Sequence, residues 1–309
     1  MLTSKTGWKL IVLSAPILTL VAAAISSAKG PPDKLSTQAP PSQYWQGQEC
    51  AACHEDVVNR FAATRHGKAM EHGAWGEMKC QSCHGDAVEH VGSADPEKIK
   101  NPVKLSLLEK NDTCLACHAN KPHTRFWAGS AHDISNVSCL DCHSVHEAKS
   151  REKLLKATSE AELCYTCHAD QRKAVRQRST HLFRTEWGEA RQSCSSCHNP
   201  HGTQAAKLIQ ANSTNELCWS CHQDKRGPHL WEHPPVKEDC LVCHTAHGSS
   251  NPSLLTQRTT TLCQSCHLQG RHQTVAGRRS SPWVINRGCL NCHPQVHGSN
   301  HPSGVNFQR

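Results

Sequence analysis

The 20 cysteines of this 309-residue chain fall without remainder into ten Cys-x-x-Cys-His motifs. The first five are Cys50, Cys53 and His54; Cys80, Cys83 and His84; Cys114, Cys117 and His118; Cys139, Cys142 and His143; and Cys164, Cys167 and His168. The second five are Cys194, Cys197 and His198; Cys218, Cys221 and His222; Cys240, Cys243 and His244; Cys263, Cys266 and His267; and Cys289, Cys292 and His293. Two thiols at this spacing can add to the two vinyl groups of one porphyrin while the adjacent imidazole reaches its iron, which is how haem c is attached. Zinc sites and redox dithiols also use Cys-x-x-Cys, and disulfide frameworks pair cysteines freely, but none of them requires a histidine after every second cysteine. The expected cofactors are therefore ten covalently bound haem c groups.

Of the 24 histidines, 14 lie outside the motifs, and every interval between motifs contains at least one, as does the tail. Methionine is the usual competitor for the sixth iron position, yet beyond Met1 the chain offers only Met70 and Met78. Bis-histidine ligation at all ten sites is expected, with His66, His90, His132, His146, His181, His201, His233, His247, His272 and His297 as the distal ligands. His72, His123, His229 and His301 are spare by this count, and His301 competes with His297 for one place. Since every motif ends in histidine and imidazoles outnumber irons, no open iron and no catalytic residue is expected.

An internal repeat underlies this choice. Motifs two, four, six, eight and ten are followed closely by a histidine (His90, His146, His201, His247, His297), and motifs one, three, five, seven and nine at longer range (His66, His132, His181, His233, His272). The chain reads as five two-haem modules over 50–309. His146, His201 and His247 stand three residues beyond a proximal histidine, too close to pass around a porphyrin to its other face. Each is expected to serve a haem attached at another motif, tying the haems into one stack.

The elements that carry these residues have little apolar material to build with. Leu, Ile, Val and Phe number 24, 7, 16 and 4, or 51 of 309 residues, below the roughly 20% needed for an ordinary core. The expected fold is a multihaem cytochrome c: mostly irregular loops with short α-helices wrapped around a linear chain of ten haems, and almost no β structure. Helices are expected at 55–65, 97–110, 150–157 and 171–178. Lys5 and Lys9 before an apolar run, with Ser26, Ser27 and Ala28 after it, predict a signal peptide over 1–28. Pro31, Pro32, Pro40 and Pro41 predict an extended N-terminal arm over 29–49. The tryptophans are expected against porphyrin edges.

The formal charge is +8, and +6 without Lys5 and Lys9. Ten haems would bring about twenty propionate charges against about one net positive charge per oxidised iron centre, so the loaded protein should be acidic, and nucleic acid is not an expected partner.

The ten-motif count, the stretch Lys225-Arg-Gly-Pro-His-Leu-Trp-Glu-His233-Pro-Pro-Val, the turn Cys-His-Thr-Ala-His247-Gly and the ending Cys-His-Pro-Gln-Val-His297-Gly-Ser-Asn-His301-Pro-Ser-Gly resemble the MtrA/DmsE/PioA family. The resemblance runs from Cys50 to Gly304. It implies a periplasmic decahaem cytochrome associated with the outer membrane through a β-barrel porin partner. Electrons would pass between periplasmic or inner-membrane donor cytochromes and an extracellular multihaem cytochrome, terminal reductase or mineral, with the tenth haem facing outward. The alternatives are a freely diffusing periplasmic shuttle and a multihaem nitrogen-oxyanion reductase.

Overall fold

The computed structural model describes residues 48–71, 80–150, 153–181, 192–268 and 288–308. The expected signal peptide and nearly all of the expected arm lie outside them. The chain divides between Pro41 and Ser42, and the description concerns the second unit. The first described helix begins at Gln48, inside the stretch expected as arm.

Short helices and 3-10 turns joined by loops make up this unit, and the only sheet among the described residues is a two-residue pair, Ser179–Thr180 antiparallel to Gly248–Ser249. Its apolar interior is small: the buried hydrophobic residues are Ala87, Trp127, Leu154 and Leu155, and none is completely enclosed. In place of a core stands one continuous cavity of about 5670 Å³, lined by residues of all ten motifs. A single small-molecule site is about 300–1,000 Å³, so this cavity has room for several large groups in succession.

Serine caps open several of the helices. Ser106 accepts from the Glu109 amide while the Glu109 carboxylate accepts in return from the Ser106 amide, a reciprocal cap that opens the helix Leu107–His118. Ser159 accepts from the Glu162 amide and Ser213 from the Glu216 amide in the same way, opening Glu160–Cys164 and Thr214–Trp219. Each of these helices delivers the first cysteine of an odd-numbered motif.

The helix boundaries differ from the expected ones for local reasons. The first helix runs Gln48–Ala62 with a kink at His54, and a second, Arg65–Glu71, follows. Over 97–110, Pro96 and Pro102 open two 3-10 turns, and the α-helix starts only after the Ser106 cap. The described residues of 150–157, which are 150 and 153–157, are not helical: Leu154 is left-handed at φ 51°, and Leu155 bridges back to His143. The helix expected over 171–178 is shorter, Ala169–Ala174.

Candidate functional site

Each motif is one helical turn. In eight of the ten, the histidine amide donates to the carbonyl of the first cysteine at 2.9–3.0 Å, and the motifs at Cys50 and Cys114 lie wholly within helices. That turn gathers two sulfurs and one imidazole. The sulfurs of successive motifs also meet. Side-chain hydrogen bonds join Cys50 to Cys80, Cys114 to Cys139, Cys164 to Cys194, Cys218 to Cys240 and Cys263 to Cys289, each linking an odd motif to the next even one. In the other direction, the thiols of Cys83, Cys142, Cys197 and Cys243, raised first by burial, also feel Cys117, Cys167, Cys221 and Cys266 of the following motif.

The histidines meet in pairs across the cavity. Pairs stand at His54 with His90, His66 with His118, His84 with His146, His132 with His168, His143 with His201, His181 with His222, His198 with His247, His233 with His267, and His244 with His297. Their ring centroids are 5.9–6.2 Å apart. Two imidazoles that each bind a metal at about 2 Å from opposite sides have ring centres about 6 Å apart, so the donor set fits a six-coordinate iron between each pair.

A rule connects partner to motif. The short-range histidine of an even motif faces the proximal histidine two motifs earlier: His146 faces motif two, His201 motif four, His247 motif six and His297 motif eight. The long-range histidine of an odd motif faces two motifs ahead: His66 meets motif three, His132 motif five, His181 motif seven and His233 motif nine. At the start of the series, His90 meets motif one. His272 and the spare His72 lie outside the described residues. Of the two tail candidates it is His297 that is paired, whereas His301 accepts the Ser303 amide on Nδ1. His123 leans on His201 at 57°, and His229 lies over Gly298.

Hydrogen bonds aim these rings. Nδ1 donates to a backbone carbonyl in His84 (Lys100, 2.9 Å), His143 (Lys153, 2.8 Å), His198 (Lys207, 2.8 Å) and His244 (Ser253, 2.8 Å), and His293 is bonded likewise to Asn306. Fixing the proton on Nδ1 turns Nε2, the basic nitrogen, toward the cavity. Burial lowers the pKa of His66, His118, His143, His146, His233, His247 and His297, and burial together with His143 brings His201 to about 4. The rings are thus held neutral, the form that ligates.

Sequence reasoning missed the straps that supply those carbonyls. Lys153-Leu154-Leu155, Lys207-Leu208-Ile209 and Ser253-Leu254-Leu255 return to motifs four, six and eight in one pattern. The first residue takes the Nδ1 proton, the second takes the amide after the histidine at 2.7–2.8 Å, and the amide of the residue that follows the strap (Lys156, Gln210 or Thr256) donates to the second cysteine carbonyl at 2.9 Å. Left-handed residues turn each strap: Leu154, Lys207, Leu208, Ser253 and Leu254 have φ of 51–58°. The repeated Leu-Leu or Leu-Ile, one residue later after His143 than after His198 and His244, was the available signal. Buried Asn111 and Asn215 were missed too, although each receives the amide of the next motif's first cysteine, Cys139 at 3.0 Å and Cys240 at 2.8 Å. Between motifs five and six Glu160 does this work, bonded to the Ser195 amide and hydroxyl.

Residues 189–227 and 233–272 match the doubled CXXCH motif family, and residues 80–167 match the family described as cytochrome c-type protein NrfB-like. Multiheme cytochrome MtrA of Shewanella baltica is 40% identical over 214 residues. This chain is a multihaem c-type cytochrome, related in sequence to MtrA. The match covers 66% of the cytochrome and 62% of MtrA. High-molecular-weight cytochrome c of Nitratidesulfovibrio vulgaris is 22% identical over 251 residues, 73% of the cytochrome and 40% of that relative. The aligned part is thus less than two thirds of either relative's length. Haem c binds this cytochrome through its Cys-x-x-Cys-His motifs.

Proposed function

We propose that this cytochrome holds ten haem c groups, all bis-histidine ligated, and conducts electrons through an outer-membrane β-barrel. The carrying observation is continuity: sulfur neighbours and histidine pairs succeed one another from motif one to motif nine without a gap, and sulfur contact extends to motif ten through Cys263 and Cys289. Iron in such sites takes up and releases single electrons. The chain's own residues supply sulfur anchors, paired imidazoles and straps that keep the rings aimed. Imidazoles on both sides leave no place for a substrate at nine sites, which favours an electron carrier over an enzyme. The tenth site would take His272, the remaining histidine of the series, on His293.

Periplasmic donors would feed one end, and an extracellular cytochrome, reductase or mineral would accept at the other. Among the described residues no helix is long and apolar enough to cross a membrane; a barrel partner would enclose the polar chain and satisfy the requirement that no unpaired backbone meets lipid. The test reconstitutes the cytochrome with its barrel in liposomes loaded with a reduced dye and adds an impermeant oxidant outside. Dye oxidation that needs both proteins is expected. Equal rates without the cytochrome, or failure to co-purify with any barrel, would instead identify a periplasmic shuttle.

A further inference from the structure

The nine described histidine pairs divide by the angle between their rings. Six are near parallel: His54 with His90 (18°), His84 with His146 (13°), His143 with His201 (16°), His198 with His247 (27°), His233 with His267 (22°) and His244 with His297 (15°). Three are near perpendicular: His66 with His118 (80°), His132 with His168 (62°) and His181 with His222 (63°). Nothing lies between 27° and 62°. The perpendicular pairs belong to motifs three, five and seven, so the two kinds alternate through the middle of the series.

The backbone accounts for the division. At motifs four, six and eight the strap fixes the proximal ring, and the distal ring leaves a short turn, Cys-His-x-x-His for His201 and His247 and Cys-His-x-x-x-His for His297. At motifs three, five and seven the chain enters the motif through a capped helix and the distal ring is supplied at longer range, by His66 on the helix Arg65–Glu71, by His132 on the helix Ala131–Ile134, where it is tied to the Pro200 carbonyl at 2.7 Å, and by His181 just after the strand Ser179–Thr180. His233 is tied to Val296 in the same manner yet lies parallel to His267, whose helix Thr259–Gln264 has no side-chain cap. Both rings together therefore decide the angle.

Ring orientation matters because each imidazole donates π density to the iron d orbital perpendicular to its plane. Parallel rings raise the same orbital and split the pair, whereas perpendicular rings raise both alike. A ferric ion with a split pair gives an ordinary rhombic spectrum and is stabilised by its half-filled upper orbital. One with a near-degenerate pair gives a very large maximum g value and is easier to reduce; axial ligation is among the protein's levers on potential.

We propose that the sites of motifs three, five and seven form a separate electronic class, in which His66, His132 and His181 impose perpendicular ligation and a more positive potential than at the parallel neighbours. An electron crossing the middle of the protein then meets alternately higher and lower potentials. This inference rests on the bis-histidine reading of the preceding section.

The test is electron paramagnetic resonance of the frozen, oxidised, haem-loaded protein, combined with a potentiometric titration. Large-g signal equal to three haems is expected, or four if the tenth site joins the class, and it should disappear before the rhombic signal as the potential is lowered. Replacing His132→Met should remove one haem's share of the large-g intensity, while His146→Met should leave that intensity unchanged. All-rhombic low-spin spectra, or a large-g signal that persists to the lowest potentials, would overturn the inference alone. A stoichiometric high-spin signal would overturn the bis-histidine reading beneath it.

Discussion

Motifs three and seven sit on helices opened by serine caps, whereas motifs six and eight sit on single 3-10 turns, Cys194–Ser196 and Cys240–Val242, held by returning straps. The same five-residue signature is therefore mounted in two ways. In the helical mounting, a side chain and an amide three residues apart define where the turn begins. In the strapped mounting, the turn is defined by carbonyls about ten residues downstream, and its far side rests on a segment from three motifs earlier. Phe126 lies beneath Gly202 of the sixth turn, Ala174 beneath Gly248 of the eighth, and Trp231 bridges Ser299 beside the tenth. On the fourth, Phe61 meets His146 edge-on and Arg60 pairs with Glu147 at 3.4 Å. Local capping makes a motif available; the interlock with a strapped turn brings its distal histidine to a partner.

If the strapped turns depend on that interlock, Gly202→Ala should have the largest effect. A Cβ there would stand 2.0 Å from the Phe126 carbonyl oxygen, and Gly202 has φ +114°. A loss of about 3 kcal/mol is expected from overpacking and backbone strain, read as a lower urea midpoint of the haem-loaded protein. An unchanged midpoint would show that the turn is not seated on Phe126.

Asn215→Ala tests the joint between the two mountings. Its amide group donates to the Val236 and Lys237 carbonyls at 3.1 and 3.0 Å and accepts the Cys240 amide, in a residue only 4% exposed. Leaving those groups unsatisfied should cost about 2–3 kcal/mol. Asn215→Asp, which keeps the acceptor but not the donors, should recover part of this; no recovery would assign the whole effect to the Val236 and Lys237 contacts.

The helical mounting should give way less. Ser213→Ala removes one cap, at about 1 kcal/mol, and Ser213→Asp should restore it. A cost equal to that of Gly202→Ala would mean that the two mountings are not energetically different.

The smallest change should be a gain. Lys207 is exposed and left-handed at φ 58°, ψ 21°. Lys207→Gly relieves that strain at some cost in chain entropy, for a net stabilisation of about 0.5 kcal/mol. A lowered thermal midpoint would show that the lysine side chain contributes more than its backbone costs.

What was legible in the sequence was what a few adjacent residues decide. The motif fixes the attachment chemistry, and the scarcity of Leu, Ile, Val and Phe excludes an ordinary core. Ser-x-x-Glu before Cys164 and Cys218 was equally local and was overlooked, because the helices were sought between motifs rather than running into them. The tertiary structure alone decided which histidine faces which. His132 is bonded to Pro200, 68 residues away, and no spacing rule within one module reaches that far. The choice between His297 and His301, the left-handed straps and the two ring orientations depend in the same way on carbonyls and loops brought together from separate modules. A hydrogen bond needs its partners within about 3 Å whatever their separation along the chain, so local pattern specifies the ligands, and only the folded backbone specifies their pairing.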